Sequence, residues 1–290
     1  MRVLLTGAAG QLGRCFVDRL PKGWVLMATD SQQLDITDFA AVVEVVTKFN
    51  PDAIVNAAAY TAVDKAETDQ HRAALINVIG PQNLALAANV VGARLVHIST
   101  DYVFDGEANI PYDETAITNP LGVYGQTKLD GEIAVSQTQP EAIIIRTAWV
   151  FSEYGNNFVR TMLRLGEERD VLSVVADQFG CPTYAGDIAQ VIIVLLDKNV
   201  VGELYHFCGN SKVAWNEFAE AIFESALKQG RLQKIPVINA ISTEQYPTQA
   251  KRPKFSVLNC DKIKQQSIFF SSWKERVDLV VSTILNGVKF

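Results

Sequence analysis

The sequence predicts an α/β protein: a Rossmann-type doubly wound parallel sheet with a smaller C-terminal α/β substrate-binding domain. Three observations predict it. An apolar run, Arg2 to Thr6, ends in Gly7-Ala8-Ala9-Gly10-Gln11-Leu12-Gly13, a Gly-x-x-Gly-x-x-Gly turn that opens a helix. Short strand-like runs then alternate with helical stretches through residue 147, the pattern of a parallel sheet with helices on both faces. Finally, Ser99-Thr100-Asp101 closes one apolar run, and Tyr124 and Lys128 follow, four residues apart on one face of a helix-compatible segment. Many surface helices carry Tyr and Lys at this spacing, so the pair takes its meaning from the other two features.

Composition narrows the class. With 290 residues, 48% of them hydrophobic, the chain can bury a large core in one or two domains. No apolar run in the sequence approaches the roughly 18 residues of a membrane span. Met1-Arg2 leads directly into the first apolar run, so no signal peptide is expected. A net charge of −6 and a pI near 5.2 argue against nucleic-acid and anionic-membrane partners. Cys15, Cys181, Cys208 and Cys260 are scattered, without a Cys-x-x-Cys pair, which is the usage of a reducing compartment and predicts neither a disulfide framework nor a zinc site; no metal-ligating residues are expected. A cytoplasmic protein is the expectation.

Each element can be justified in order. After the first strand, Gly7, Gly10 and Gly13 suit a tight turn whose backbone meets a pyrophosphate, with the following helix, to about Leu20, offering free N–H groups and a positive dipole end. Trp24 to Thr29 is a second strand. It ends at Asp30, seventeen residues beyond Gly13, where a carboxylate either accepts hydrogen bonds from an adenosine ribose or simply shapes a strand-end turn. Asp35 to Asn50 has helical periodicity, and Pro51-Asp52 stops it. Ala53 to Asn56 is a third strand, and the small residues Ala57-Ala58-Ala59 after it let a cofactor lie close across the sheet edge.

A helix is predicted from about Ala73 to Val91, then a fourth strand from Arg94 to Ser99. His97 within it reads as a core histidine with its hydrogen bonds met. Thr100 follows at the carboxyl edge of the sheet, where its hydroxyl can reach a substrate carbonyl oxygen. Tyr124 and Lys128 complete that set, since a phenol near a fixed positive charge ionises more readily. Ala142 to Thr147 is the fifth strand, with Trp149 just beyond.

The division expected from this pattern places a dinucleotide-binding domain at 1–148 and a mainly substrate-binding domain at 149–290. The helix over 185–198 packs back on the first domain. Gly155-Asn156-Asn157 precedes a helix from Phe158 to about Glu168, and Leu172–Val175 and Leu204–Phe207 are strands. A helix from Trp215 to Lys228 and a terminal helix from Ser272 follow. Between those two lies a loop, Tyr246 to Pro253, in which Arg252 either holds an anionic substrate group or is an exposed arginine.

The motifs together resemble the extended short-chain dehydrogenase/reductase superfamily, and within it the dTDP-4-dehydrorhamnose reductases. The resemblance runs over nearly the whole chain. It rests on Ser99 to Phe104, Asn119-Pro120-Leu121 through Tyr124-Gly125 to Lys128, Arg146 to Trp149, Gly155 to Phe158, Asp177-Gln178, Pro182-Thr183 and Tyr246 to Pro253. By position it implies that Tyr124 is the proton donor, Lys128 its partner and a ligand of the nicotinamide ribose, and Thr100 the third catalytic member. It implies a cofactor site of Gly7, Gly10, Gln11, Leu12, Gly13, Asp30, Asp35, Ile36, Ala59, Tyr60 and Thr61, with Tyr124 and Lys128. Thr100, Asp101, Trp149 and Arg252 would contact the substrate, a dTDP-linked 4-keto sugar. The cofactor is NADPH or NADH. Asp30 should repel a 2′-phosphate, while Arg14 is placed to offset it.

The resemblance leaves room for a homodimer, but Cys15 stands where members with an interface magnesium carry glutamate, so that metal is not expected. Related folds dehydrate or epimerise nucleotide sugars. Tyr102, where dehydratases carry a glutamate after Thr-Asp, counts against dehydration. A non-catalytic role, like that of the regulatory subunit of methionine adenosyltransferase, is the alternative from another class.

Overall fold

A computed structural model describes residues 1–268 and 270–287. Five strands follow the apolar runs closely: β1 (Arg2–Thr6), β2 (Val25–Thr29), β3 (Ala53–Asn56), β4 (Arg94–Thr100) and β5 (Ile143–Thr147). A sixth, Leu204–His206, completes one fully parallel sheet, which runs from that strand through β5, β4, β3 and β1 to β2. From β1 the chain goes out to β2, then returns past β1 to β3. The carboxyl ends of β1 and β3 therefore flank the crevice where the winding reverses, the place where open α/β sheets bind ligands.

Both faces of the sheet are covered, which is why its strands are apolar throughout and not alternating. On one face Val3, Leu5, Val96 and Ile145 pack with Phe16 of helix Gln11–Asp18 and with Ile188, Ile192 and Leu196 of helix Ala185–Asp197. On the other, Leu4, Ile54, Leu95 and Ile144 meet helices Phe39–Phe49 and Gly80–Val91 through Val42, Val46 and Leu84. A separate core gathers Phe151, Leu163, Val174, Phe218, Phe223 and Val281. Strand Leu204–His206, with Val257, Leu258 and Ile263, belongs to the first core although it lies beyond residue 148. It pairs with β5, whose Ile143 to Ile145 would otherwise present a bare apolar edge.

Two stretches differ from the sequence expectation. The helix expected from Asp35 begins at Phe39, because Asp35 accepts from the Thr37 amide and hydroxyl while Asp38 caps the helix through the Ala41 amide. The single helix expected from Ala73 is Gln70–Ala74, a π-helical turn Leu75–Ile79, and Gly80–Val91. That continuous stretch, Gln70–Val91, is long and apolar enough by composition to cross a membrane, contrary to the expectation of no such span. It passes for the reason core helices do: Ala73, Leu84, Ala87 and Ala88 are buried against the protein.

Candidate active site

The carboxyl edges of β1 to β5 open into one cleft of about 1430 Å³. A drug-sized ligand needs roughly 300–1,000 Å³, so there is room for two extended ligands meeting end to end.

The glycine turn forms one end. Gly7 has φ +72°, and a Cβ there would lie 2.6 Å from the Ala57 carbonyl carbon, so the turns after β1 and β3 touch only because Gly7 is bare. A Cβ on Gly13 would lie 2.3 Å from the Gly7 oxygen. Gly13 does not border the cleft. Contrary to the expectation of a cofactor contact, it permits close packing of helix on turn. Gly10 is exposed to the cleft, and no side chain caps the N-terminus of helix Gln11–Asp18 that it begins. Backbone amides there are left for an anion. Gln11 and Leu12 line the same wall, and the Gln11 amide oxygen accepts from Ser152 (3.0 Å) and Asn157 (2.9 Å), tying the turn to the second half of the chain.

Asp30, Asp35 and Ile36 line the adjoining wall. Both roles foreseen for Asp30 are compatible: its Oδ1 accepts from the Gln32 (2.9 Å) and Gln33 (3.0 Å) amides, shaping the turn, and the residue still borders the cleft. Arg14 does not border it, and its guanidinium sits over the Tyr154 ring at 5.5 Å. Ala59, Tyr60 and Thr61 line the floor. That loop is held by Asn77, a buried residue of the π-turn that sequence reasoning missed. Its Oδ1 accepts from the Tyr60 amide (2.8 Å), and its Nδ2 donates to the Tyr60 carbonyl and the Thr127 hydroxyl. The widened turn brings Asn77 against helix Val123–Thr138, where a Cβ on Gly131 would lie 2.1 Å from the Asn77 oxygen.

Thr100, Asp101, Tyr124, Lys128 and Trp149 converge on the middle of the cleft. The Thr100 hydroxyl donates to Asp101 Oδ1 at 3.0 Å and also lies against the Tyr124 phenol. Burial pushes the Tyr124 phenol up to about 12, against the Thr100 hydrogen bond and with help from the Asp101 charge. Lys128 does not offset this, contrary to the expectation. Its ammonium is turned into β4, donating to the Ile98 carbonyl at 2.6 Å, and burial pulls it down to about 8. Glu132, one turn further on, counters part of that shift. Glu132 is in turn clamped by Arg146 of β5 (Nη2–Oε2 2.7 Å, Nε–Oε1 2.9 Å), a buried pair beneath the site with no signal in local sequence.

Asp101 is buried, and burial pushes its carboxyl up to about 6, against the Ser256 and Thr100 hydroxyls beside it; among the described residues only the Thr100 contact, to Oδ1, closes in good geometry. His97 is only half satisfied. Asn56 reaches its Nδ1 at 3.0 Å, and because Asn56 Oδ1 already accepts from Thr6 and Ala58, the amide donates there and Nε2 keeps a proton without a partner among the described residues. Burial and then Lys128 hold this imidazole neutral.

Trp149 has φ +47°, unusual for a large side chain. It is held by the Trp215 ring, stacked at 3.5 Å, and by Gly180, where a Cβ would lie 2.4 Å from the indole nitrogen. Arg252 lies outside the cleft lining. Its guanidinium grips Asp64 instead, with Nη2–Oδ2 at 2.8 Å and Nη1–Oδ1 at 3.1 Å.

Comparison with known proteins identifies the family. A family model described as the RmlD substrate binding domain matches residues 1–286. A dTDP-4-dehydrorhamnose reductase of Aggregatibacter actinomycetemcomitans is 49% identical, over 91% of this chain and 92% of that protein. The chain belongs to the dTDP-4-dehydrorhamnose reductase family. It is therefore grouped with oxidoreductases. A crystal structure of the reductase from Clostridium acetobutylicum superposes with a TM-score of 0.92 at 41% identity, covering 98% of this chain and 100% of that one. The reductase of Bacillus anthracis in complex with NADP superposes at 0.91 with 39% identity, covering 97% and 99%. Cys15 is buried, and burial with the Glu153 charge pushes its thiol up to about 12.

Proposed function

We propose that the protein reduces the C4 keto group of dTDP-4-dehydro-L-rhamnose to dTDP-L-rhamnose, with NADPH or NADH as hydride donor. The observation that carries this reading is the meeting of Thr100, Tyr124 and Lys128 at the end of β4, in the same cleft as an uncapped glycine-turn helix. The residues fit a dinucleotide. Bare Gly10 and the amides after it would hold its pyrophosphate, Asp30 its adenosine ribose and Lys128 its nicotinamide ribose. When bound, this cofactor supplies the hydride.

The chain's own groups handle the proton. A phenol at about 12 keeps its proton at neutral pH, yet it is a stronger acid than the alcohol formed when the alkoxide from hydride addition takes that proton. Tyr124 therefore delivers a proton to the carbonyl oxygen, and Thr100 steadies the same oxygen with a hydrogen bond. Lys128 orients the ribose and keeps positive charge nearby. Asp101, which lines the cleft, is the acceptor offered to a sugar hydroxyl, and Trp149 forms a flat wall for the sugar. The direct test is incubation with dTDP-4-dehydro-L-rhamnose and reduced cofactor, following nicotinamide absorbance. No turnover with either cofactor would end this reading.

Two further outcomes are expected. Asp30→Ala should shift preference toward NADPH, measured by calorimetry with both cofactors. A wild-type protein that strongly prefers NADPH would leave Asp30 as a turn residue only.

The pH profile of kcat/KM should fall below about pH 6, as Asp101 gains its proton, and above about pH 8, as Lys128 loses its own. Asp101→Asn should remove the acid limb. It should also stabilise the fold. A carboxyl raised from 3.8 to about 6 contributes stability that is complete below pH 3.8 and lost as pH rises through 6. At pH 7 the buried charge thus costs on the order of 3 kcal/mol, which urea unfolding of the variant should show as a gain. An Asp101→Asn protein less stable than wild type at pH 7 would contradict this.

A further inference from the structure

Arg252 and Asp64 are 188 positions apart, yet they close a two-pronged ion pair, and the Ala250 amide adds a third donor to Asp64 Oδ1 at 3.1 Å. The pair joins the loop before Pro253 to the short helix Val63–Ala66 that follows β3. It stands at the cleft mouth. Val63 and Lys65, on either side of Asp64, both line the cleft. The guanidinium also acts on Tyr102, whose ring meets Tyr124 edge-on at 5.5 Å. The two side chains are 24% and 42% exposed, so water screens the pair and the arginine can swing without unpacking a core.

We propose that Asp64 is a built-in competitor for Arg252: it holds the guanidinium in the ligand-free protein and yields it to the diphosphate of the nucleotide sugar. This rests on the substrate class proposed above. A diphosphate offers the same two-oxygen face to a guanidinium as a carboxylate, with more charge. Asp64 does not release by taking a proton at neutral pH, because the Arg252 hydrogen bond holds its carboxyl below the usual range, so release comes by exchange of anions. The pair thereby filters the mouth. A ligand with a diphosphate gains the arginine and evicts the carboxylate, while a sugar without one meets a neutralised arginine and gains nothing.

The two partners of a merely structural bridge behave alike when removed; a competitor and its target behave oppositely. Calorimetry with dTDP on the full chain should show Arg252→Ala weakening binding about tenfold or more. Asp64→Asn, which keeps an oxygen for the Ala250 amide, should tighten it about two- to fivefold. NADPH affinity should stay the same in both. Asp64→Ala serves as a second variant: if it melts earlier but still binds dTDP more tightly, competition stands. If Asp64→Asn weakens dTDP binding or leaves it unchanged while wild type turns over the nucleotide sugar, the competition is wrong and the substrate reading survives. If wild type does not bind dTDP, both fall together.

Discussion

Tyr124→Phe should lower kcat by about 10²–10⁴-fold on dTDP-4-dehydro-L-rhamnose while leaving cofactor affinity nearly intact. The substitution keeps the ring and its edge-on contact with Tyr102, so the wall of the cleft stays in place. What is lost is the one hydroxyl that lies against Thr100 beneath the proposed carbonyl position and holds its proton at neutral pH. Stopped turnover with calorimetric binding of NADPH unchanged is the expected pair of results. A Tyr124→Phe protein within threefold of wild type would move the active site elsewhere. Lys128→Met provides the contrast: it should lower kcat and weaken cofactor binding together, since this residue is proposed to touch the ribose.

The second large effect separates two glycines that look equivalent in the motif. Gly10→Val should fold and lose NADPH binding, because its new Cβ is 3.3 Å from the Gly7 oxygen, a contact small shifts relieve, while its branches fill the space an approaching pyrophosphate needs. Gly13→Val should fail earlier. A Cβ at 2.3 Å from a backbone oxygen and 2.6 Å from the Ala8 Cα cannot be relieved by a rotamer change, and overpacking of this kind costs about 3 kcal/mol or more. Circular dichroism melts and cofactor calorimetry on both variants distinguish the cases. A Gly10→Val protein with wild-type NADPH affinity would remove the glycine turn from the cofactor site.

Much of this molecule follows from local sequence. Strand β1 matches its expected bounds, and helices Phe158–Glu168 and Trp215–Lys228 fall where periodicity puts them, because each run carries its own buried face; Asn157 caps the first of these helices through the Arg160 amide. Parallel pairing buries whole apolar strands, so five of the six strands of the sheet were legible as short apolar runs between helical stretches, and Leu204–His206 was legible as a strand but not as a member. Thr100, Tyr124 and Lys128 were legible as a set because β4 and the next helix deliver them from short, distinctive stretches.

Contacts between distant segments were not. Asn77 looks like one polar residue in an apolar helix until the π-turn aims it at the Tyr60 loop. Glu132 and Arg146 meet only because helix Val123–Thr138 packs on β4, the neighbour of β5, and Arg252 lies outside the cleft lining, paired with Asp64 188 residues away. Ionisation belongs to the same class. A sequence places a lysine four residues from a tyrosine, but whether the ammonium faces the phenol or a strand carbonyl depends on burial and on which acceptor lies nearest. Composition, periodicity and short motifs thus marked out the sheet, its glycine turn and the trio proposed here to react, since these depend on residues close in the chain. Tertiary packing alone decided which glycine faces the cleft, where each charge finds its partner and what each group's proton affinity becomes, since burial and distance exist only once the chain has folded.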